Sequence, residues 1–239
     1  MLITIVIPAY NEEKRIISTL KSIVSYFSYK KIPHEIIVSD DGSSDNTVKV
    51  ITGLKTSCPQ ISVFSLNQNS GKGKAVREGM LRGKGDYILF MDADSSTSIE
   101  EFEKFIPLIY QSKDILMGTR KSKGAQIVEH QPFLREFLGK GFTWFSNIIT
   151  GAHVSDFTCG FKCFSKKAVN DIFKKALIDD WSFDAEILFL AKIMGYEIIE
   201  VPVVWKNDRA TKVRLVHDII HSFKGLVIIR LNAAKGNYL

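Results

Sequence analysis

Two carboxylates one residue apart, Asp92 and Asp94, close the stretch Asp86-Tyr-Ile-Leu-Phe-Met-Asp-Ala-Asp94. Tyr87 to Met91 is a short apolar run behind Gly83 and Gly85, the pattern of a buried strand in a parallel sheet. Side chains two apart on a strand point the same way. Asp92 and Asp94 are therefore expected to aim both carboxylates at one point beyond the strand's carboxyl end, where open α/β sheets bind ligands. Like charges held together repel unless a cation lies between them, and carboxylates suit hard Mg²⁺ or Mn²⁺. Taken alone, Asp-x-Asp is also what a polar loop after a core strand looks like, so the surroundings decide.

Two further turns are expected at the same sheet edge, Pro8-Ala-Tyr-Asn-Glu12 and Asp40-Asp-Gly-Ser43. Acidic groups at successive strand ends suit a ligand with a base and ribose hydroxyls at one end and a metal-bound diphosphate at the other. Tyr10 could stack on the base, while Glu12 and Asp41 accept from ribose hydroxyls or the base N–H. Asp-Gly-Ser is common in ordinary turns; the three turns together are specific.

Alternating strands and helices must position these groups. Residues 2–8 form a β-branched run, read as a central strand. Asn11 is placed to cap a helix with Glu12 and Glu13 in its first turn and Ile16, Ile17, Leu20, Ile23, Val24 and Phe27 at helical spacing. Glu35 to Ser39 and Ile61 to Leu66 read as strands, with a helix bearing Val48, Ile51 and Leu54 between them. Gly71-Lys-Gly-Lys74 opens a helix through Met80, ahead of the strand that ends at Asp92. Ser98 to Glu101 matches a capping box introducing a helix over Ile99 to Tyr110, and Asp114 to Gly118 is another strand. This order predicts an α/β fold with a mostly parallel sheet and right-handed crossovers. Beyond Thr119, residues 120–132 read as a loop and Phe133 to Ile149 as an aromatic-rich amphipathic helix. A loop, His153 to Gly160, precedes a region of mixed structure. Phe183 to Met194 is helical up to Gly195, Glu197 to Trp205 a strand and Lys206 to Thr211 a charged loop. Val213 to Leu231 is a basic amphipathic helix. Without repeats or a linker, residues 1–239 are read as a single domain.

The chain has 239 residues, 45% of them hydrophobic, enough to bury a core. Its net charge of +6 favours anionic partners such as phosphates, nucleotides or acidic lipid. The basic residues are spread out and no recognition motif accompanies them, which argues against nucleic acid. Met1 to Tyr10 lacks the basic start of a secretory signal, and the longest uncharged stretch, Gly141 to Ser155, is too short and polar to span a bilayer. Cys58, Cys159 and Cys163 form no CxxC, and a reduced, cytoplasmic setting is expected. Cys159 and Cys163 are read as packing residues.

The motifs Ile5-Val-Ile-Pro-Ala-Tyr-Asn-Glu-Glu13, Ile37-Val-Ser-Asp-Asp-Gly-Ser-Ser-Asp45, Gly71-Lys-Gly-Lys-Ala75 and Met91-Asp-Ala-Asp94 resemble those of family-2 glycosyltransferases of the GT-A fold, which use nucleotide-diphosphate sugars. Gly118-Thr-Arg120, Asp156-Phe-Thr-Cys-Gly-Phe-Lys162, Trp181-Ser-Phe-Asp184 and Glu200-Val-Pro-Val-Val-Trp205 look like the dolichyl-phosphate glucosyltransferase branch, with the dolichyl-phosphate mannosyltransferases as neighbours. The resemblance runs from residue 3 to about 215. It implies a nucleotide-sugar half over 1–118, a sugar and acceptor half over 119–212, and a terminal helix over 213–239.

By that resemblance, Pro8, Ala9, Tyr10, Glu12, Ser39, Asp41, Lys72, Asp92 and Ala93 line the nucleotide, and Asp92 and Asp94 hold Mg²⁺ or Mn²⁺ on the donor diphosphate. Asp94, Arg120 and Asp184 carry catalysis. Arg120 contacts a donor or acceptor phosphate through its planar fork, and Arg135 contacts the acceptor phosphate. Asp156 and Asp184 hydrogen-bond the sugar, and Lys212, with Arg209, belongs to a basic loop that closes over the diphosphate. Relatives have Gly-Ser-Lys there; this chain has Ala210-Thr211-Lys212. The implied reaction is metal-dependent, inverting transfer of a hexose, glucose from UDP-glucose, to a polyprenyl or dolichyl phosphate. An ionised phosphate acceptor needs no catalytic base. GDP-mannose as donor, a non-lipid acceptor, or an inactive phospho-ligand or membrane-docking module are the competing readings. A lipid acceptor implies peripheral contact with the cytoplasmic face of a membrane, through Phe133 to Ile149 or the terminal helix.

Overall fold

A computed structural model of the chain describes residues 1–129, 133–207 and 215–238, with side chains at all of these except 133–137 and 215–222. The strands are β1 (Ile3–Ala9), β2 (His34–Asp40), β3 (Ile61–Ser65), β4 (Tyr87–Met91), β5 (Ile115–Thr119), β6 (Gln126–Glu129), β7 (Phe161–Ser165), β8 (Ile198–Pro202) and β9 (Val204–Lys206). Seven of them form one sheet in the order β3-β2-β1-β4-β7-β5-β8, and β6 pairs with β9 in a small second sheet. The helices are α1 (Ile16–Tyr29), α2 (Thr47–Leu54), α3 (Lys72–Arg82), α4 (Ile106–Tyr110), α5 (Phe133–Thr150), α6 (Lys166–Phe173), α7 (Phe183–Ile193) and α8 (Leu215–Ala234).

Both faces of the sheet are covered, which is why its strands read as nearly continuous apolar runs. Ile3, Ile5 and Ile7 of β1 pack with α1 residues Ile16, Leu20, Ile23 and Phe27 on one face. Val6, from the same strand, faces Val76 and Met80 of α3 on the other. Fully burying side chains of this size stabilises the fold by about 1.5–3 kcal/mol each.

Helix crossovers make β1, β2, β3 and β4 parallel, as the alternating pattern predicts. The strand that sequence reading did not resolve is β7. It lies between β4 and β5, antiparallel to both. Reversing one strand brings the loop that precedes it, residues 156–160, to the edge where β4 and β5 end. The sheet therefore continues across residue 118, and groups from both halves of the chain meet there.

Four local expectations change. Asn11 does not cap α1, which begins at Ile16. Its backbone is left-handed (φ 54°), and its Oδ1 accepts from the backbone N–H of Ser44 (2.8 Å) and Asp45 (3.3 Å), tying the first turn to the second. Ser98 makes no side-chain cap, and residues 99–110 split into a 3-10 turn (Ile99–Lys104) and α4, with Pro107 at the start of the latter. Proline favours the first turn of a helix because its missing N–H would be unpaired there. The loop read at 120–132 contains β6. Helix α8 runs from Leu215 to Ala234, past the expected end.

Candidate active site

Strand β4 ends at Met91, and the backbone N–H of Asp92 donates to Gly160 O (3.2 Å) across the antiparallel pair. Gly160 is required at this point: a Cβ there would overlap the Asp92 carboxylate. Asp94 folds back so that its Oδ1 accepts from Ser96 N–H (2.9 Å), with Ser95 in the left-handed region (φ 53°). Burial, and then the neighbouring charge of Asp92, raise the Asp94 pKa above the ordinary carboxylate value. The two carboxylates thus repel in the way that invites a cation.

One cation is already present. Lys72, the first residue of α3, sets its Nζ 2.6 Å from Asp92 Oδ1 and 5.2 Å from the Trp181 ring centroid. Burial works to lower its pKa, but the fields of Asp92, Asp184 and Asp94 outweigh that and raise it. Gly71, before it, has φ 103°, and a Cβ there would overlap Asp179 O. Close approach of the α3 start to residues 178–180, rather than a phosphate-cradling loop, accounts for the glycine. An ammonium held against Asp92 shows that the pair accepts a positive group. Their hard oxygens suit Mg²⁺ or Mn²⁺. Among the described residues no group of three or more His, Cys, Asp or Glu is arranged to hold a metal.

The nucleotide-side residues sort by exposure. Tyr10 is 38% exposed and Pro8 partly so, both on the edge beside the Asp-x-Asp. Ala9 and Ala93 are buried, and Ala93 O accepts from Thr19 Oγ1 (2.7 Å). Ser39 is fully buried and its hydroxyl donates to Ala75 O (2.6 Å), which seats α3 on the sheet. Asp41 is buried as well, and its oxygens accept from Ser70 N–H (2.7 Å) and Gly71 N–H (2.9 Å), fixing the turn before α3. Burial raises its pKa despite those bonds. Glu12 is paired to Arg15, whose Nη2 lies 2.8 Å from Glu12 Oε1. Both carboxylates, expected on ribose or base, are engaged in holding turns.

Strand β5 delivers Arg120 to the same edge. Its Nε donates to Asp156 Oδ2 (2.7 Å), and its Nη2 to Asp156 Oδ1 (2.8 Å) and Thr158 Oγ1 (2.9 Å). The bidentate edge expected on a phosphate is therefore on Asp156, while Nη1 has no partner among the described residues. Burial opposes ionisation of Asp156, but the Arg120 charge and bonds dominate and hold its pKa at about 2. Both Asp156 oxygens are thus engaged by Arg120, and the residue has no exposed surface.

Asp184, in the first turn of α7, is buried, and its Oδ1 lies 2.5 Å from Lys162 Nζ. Its second oxygen has no partner among the described residues. Burial raises its pKa against the pull of Lys162 and Lys72. Sequence reading quoted Lys162 in a motif but gave it no role. The signal was there: a lysine inside the apolar strand Phe161-Lys-Cys-Phe-Ser165. Cys159 and Cys163 are buried in the packing, as expected. The Arg135 side chain, Arg209 and Lys212 lie outside the described residues.

The sequence profile of glycosyl transferase family 2 matches residues 4–173. The chain belongs to glycosyl transferase family 2. Within this family of enzymes it is 38% identical over 224 residues to a dolichyl-phosphate beta-glucosyltransferase of Trichomonas vaginalis, covering 89% of this chain and 66% of that one. Proteins of the same name from Dictyostelium discoideum and Saccharomyces cerevisiae are each 33% identical, covering 98% and 99% of this chain and 75% and 76% of theirs. The chain thus spans about two thirds to three quarters of their lengths. Among solved structures, the transferase superposes on glucosyl-3-phosphoglycerate synthase of Mycobacterium tuberculosis bound to UDP with a TM-score of 0.70 at 18% identity, covering 95% of this chain and 79% of that one. Mannosyl-3-phosphoglycerate synthase of Rubrobacter xylanophilus gives 0.70 at 16% identity, covering 99% and 75%. Both show the GT-A fold. The M. tuberculosis enzyme has also been solved with Mn²⁺, UDP and phosphoglyceric acid.

Proposed function

We propose that this transferase moves glucose from UDP-glucose to a polyprenyl phosphate of the dolichyl class, with inversion at the anomeric carbon. The observation that carries this reading is the reach of the identity. The family profile ends at residue 173, whereas identity to the dolichyl-phosphate beta-glucosyltransferases continues through 98% or more of this chain in two of the three relatives.

The sheet edge can perform that reaction. An acceptor phosphate is ionised at neutral pH, so one of its oxygens attacks the anomeric carbon with no base to remove a proton. The new C–O bond forms as the bond to the nucleotide diphosphate breaks, and UDP leaves with the electron pair. Asp92 and Asp94 would hold a divalent cation, which when bound offsets charge on the departing diphosphate. Lys72 is placed to add a second positive group there. Arg120, oriented by Asp156, offers the two N–H groups of Nη1 to the acceptor phosphate. The second oxygen of Asp184, which has no partner among the described residues, would accept from a donor hydroxyl, and Tyr10 would meet the base.

The acceptor half also supports contact with a membrane surface. Among the described residues no helix is long and apolar enough to cross a bilayer. Helices α5 and α8 pack together through Phe142, Phe145 and Phe223, yet Trp144 (67% exposed) and Ile148 on α5 and Val227, Ile228 and Leu231 on α8 face solvent. Lys140, Lys224 and Arg230 are exposed beside them. Apolar faces flanked by basic residues suit an anionic interface.

The test is a transfer assay with purified protein, Mn²⁺ or Mg²⁺, radiolabelled UDP-glucose and GDP-mannose, and polyprenyl phosphate in detergent. Organic-extractable label from UDP-glucose, lost on chelation, is the expected result. Label from GDP-mannose alone would overturn the donor, and donor hydrolysis without a lipid product would overturn the acceptor.

A further inference from the structure

Lys162 is fully buried in the middle of the sheet, on the strand that runs against its neighbours. An ammonium carries three donors, and here all three are used. Nζ donates to Phe157 O (2.9 Å), Cys159 O (2.8 Å) and Asp184 Oδ1 (2.5 Å). A buried ion pair is a poor way to gain stability, because an apolar side chain of similar volume serves as well. What an apolar residue could not do is hold three groups from two separate segments at fixed positions.

Those segments are the walls of the donor edge. Phe157 and Cys159 flank Thr158, which bonds Arg120, and Cys159 precedes Gly160, whose carbonyl accepts from Asp92 N–H and whose missing side chain leaves room for the Asp92 carboxylate. Asp184 lies in the field of both Lys72 and Asp92. The loop is thus gripped from two sides: Arg120 holds Asp156 from β5, and Lys162 holds the carbonyls on either side of Thr158 from β7.

We propose that Lys162 is the positioning residue of the donor site, its ammonium setting the 157–160 loop against Asp92 and the Asp184 carboxylate beside Lys72. The inference rests on reading this edge as the Mn²⁺–UDP site. Its role separates from that of a mere counter-ion by comparing Asp184→Asn, which removes the ion pair but leaves both carbonyl contacts, with Lys162→Met/Asp184→Asn, which removes everything and buries no charge. Melting curves report folding, amide hydrogen exchange reports the 156–160 segment, and calorimetry reports Mn²⁺–UDP binding.

The double variant is expected to fold, yet to exchange the loop amides faster and bind Mn²⁺–UDP at least roughly tenfold more weakly than Asp184→Asn, the scale seen when groups orienting metal ligands are removed. Equal exchange and equal affinity in the two variants would overturn the proposal and leave Lys162 as a counter-ion. Asp184→Asn strands a buried ammonium, so should either variant not fold, Lys162→Arg compared with wild type takes their place, because a planar guanidinium cannot reproduce the three-way geometry of the ammonium. A folded Arg variant with wild-type exchange and affinity would equally overturn it. If the wild type itself fails to bind Mn²⁺–UDP, the donor-site reading has failed, and the exchange comparison alone decides what Lys162 holds.

Discussion

The two ends of the site treat their carboxylates in opposite ways. At the end of β4, Asp94 lies in the field of Asp92, both are partly open, and among the described residues Lys72 is the side chain bonded to Asp92. Beyond β5, Asp156 is sealed under Arg120 with both oxygens engaged. The first arrangement is poor for stability and good for capturing a cation. The second is a closed pair whose product is the aim of a guanidinium.

The sharpest way to break this contrast is to neutralise one carboxylate at each end. Asp94→Asn is expected to lower transfer roughly 10²–10³-fold, the scale of losing a main electrostatic stabiliser of the leaving group. Its melting temperature should hold or rise, since a like-charge repulsion is removed. Asp156→Asn should act on the fold: it strands the Arg120 charge, and breaking a buried pair from one side costs about 3–5 kcal/mol. Denaturant unfolding and initial rates on both variants make the check. An Asp94→Asn protein as unstable as Asp156→Asn would erase the distinction between the two ends.

Acid titration of stability probes the same contrast without mutation. The Asp156 pKa is held at about 2, below the ordinary carboxylate value. Its contribution is present at neutral pH, where that shift corresponds to about 2 kcal/mol, and is lost as pH falls from about 4 towards 2. Asp94 has the opposite sign and a higher window: its pKa is raised above the ordinary carboxylate value, so the folded state takes up the proton first and stability is gained as pH falls towards about 4, before the Asp156 loss begins. Asp94→Asn should therefore steepen the acid loss of stability, and Asp156→Asn should flatten it.

Much of this was legible in the chain, for a physical reason. Parallel strands buried on both faces write themselves as apolar runs, and glycines and aspartates punctuate their ends, so β1, β2, β4 and the turns that follow them were readable. What escaped depends on partners far away in sequence. Glu12, Asp41 and Ser39 have the right chemistry for a nucleotide; their bonds to Arg15, the Ser70–Gly71 backbone and Ala75 O were not legible. The antiparallel insertion of β7 left no local signal beyond a lysine in an apolar run. Yet that insertion brings Gly160 to Asp92 and Asp156 to Arg120. Helix ends were misplaced for the same reason: Asn11 satisfies the next turn's amides instead of its own helix.

The smallest effect concerns the outer face of the acceptor half, where α5 exposes Trp144 and Ile148 while its Thr143 Oγ1 accepts from Lys121 Nζ (2.7 Å), the residue after Arg120. This link connects the exposed face to Arg120, proposed above to take the acceptor phosphate, so a bilayer under α5 would present a lipid phosphate close to it. Trp144→Glu removes one large apolar side chain from that face and adds a charge that anionic lipid repels. Partition onto vesicles containing anionic lipid is expected to fall roughly tenfold, the equivalent of one such burial. Because Trp144 is exposed, the melting temperature should not change, and the rate on a short, water-soluble isoprenyl phosphate should match wild type. Unchanged vesicle partition would show that the face meets no membrane, and a loss of rate on the short acceptor would show that Trp144 belongs to the site itself.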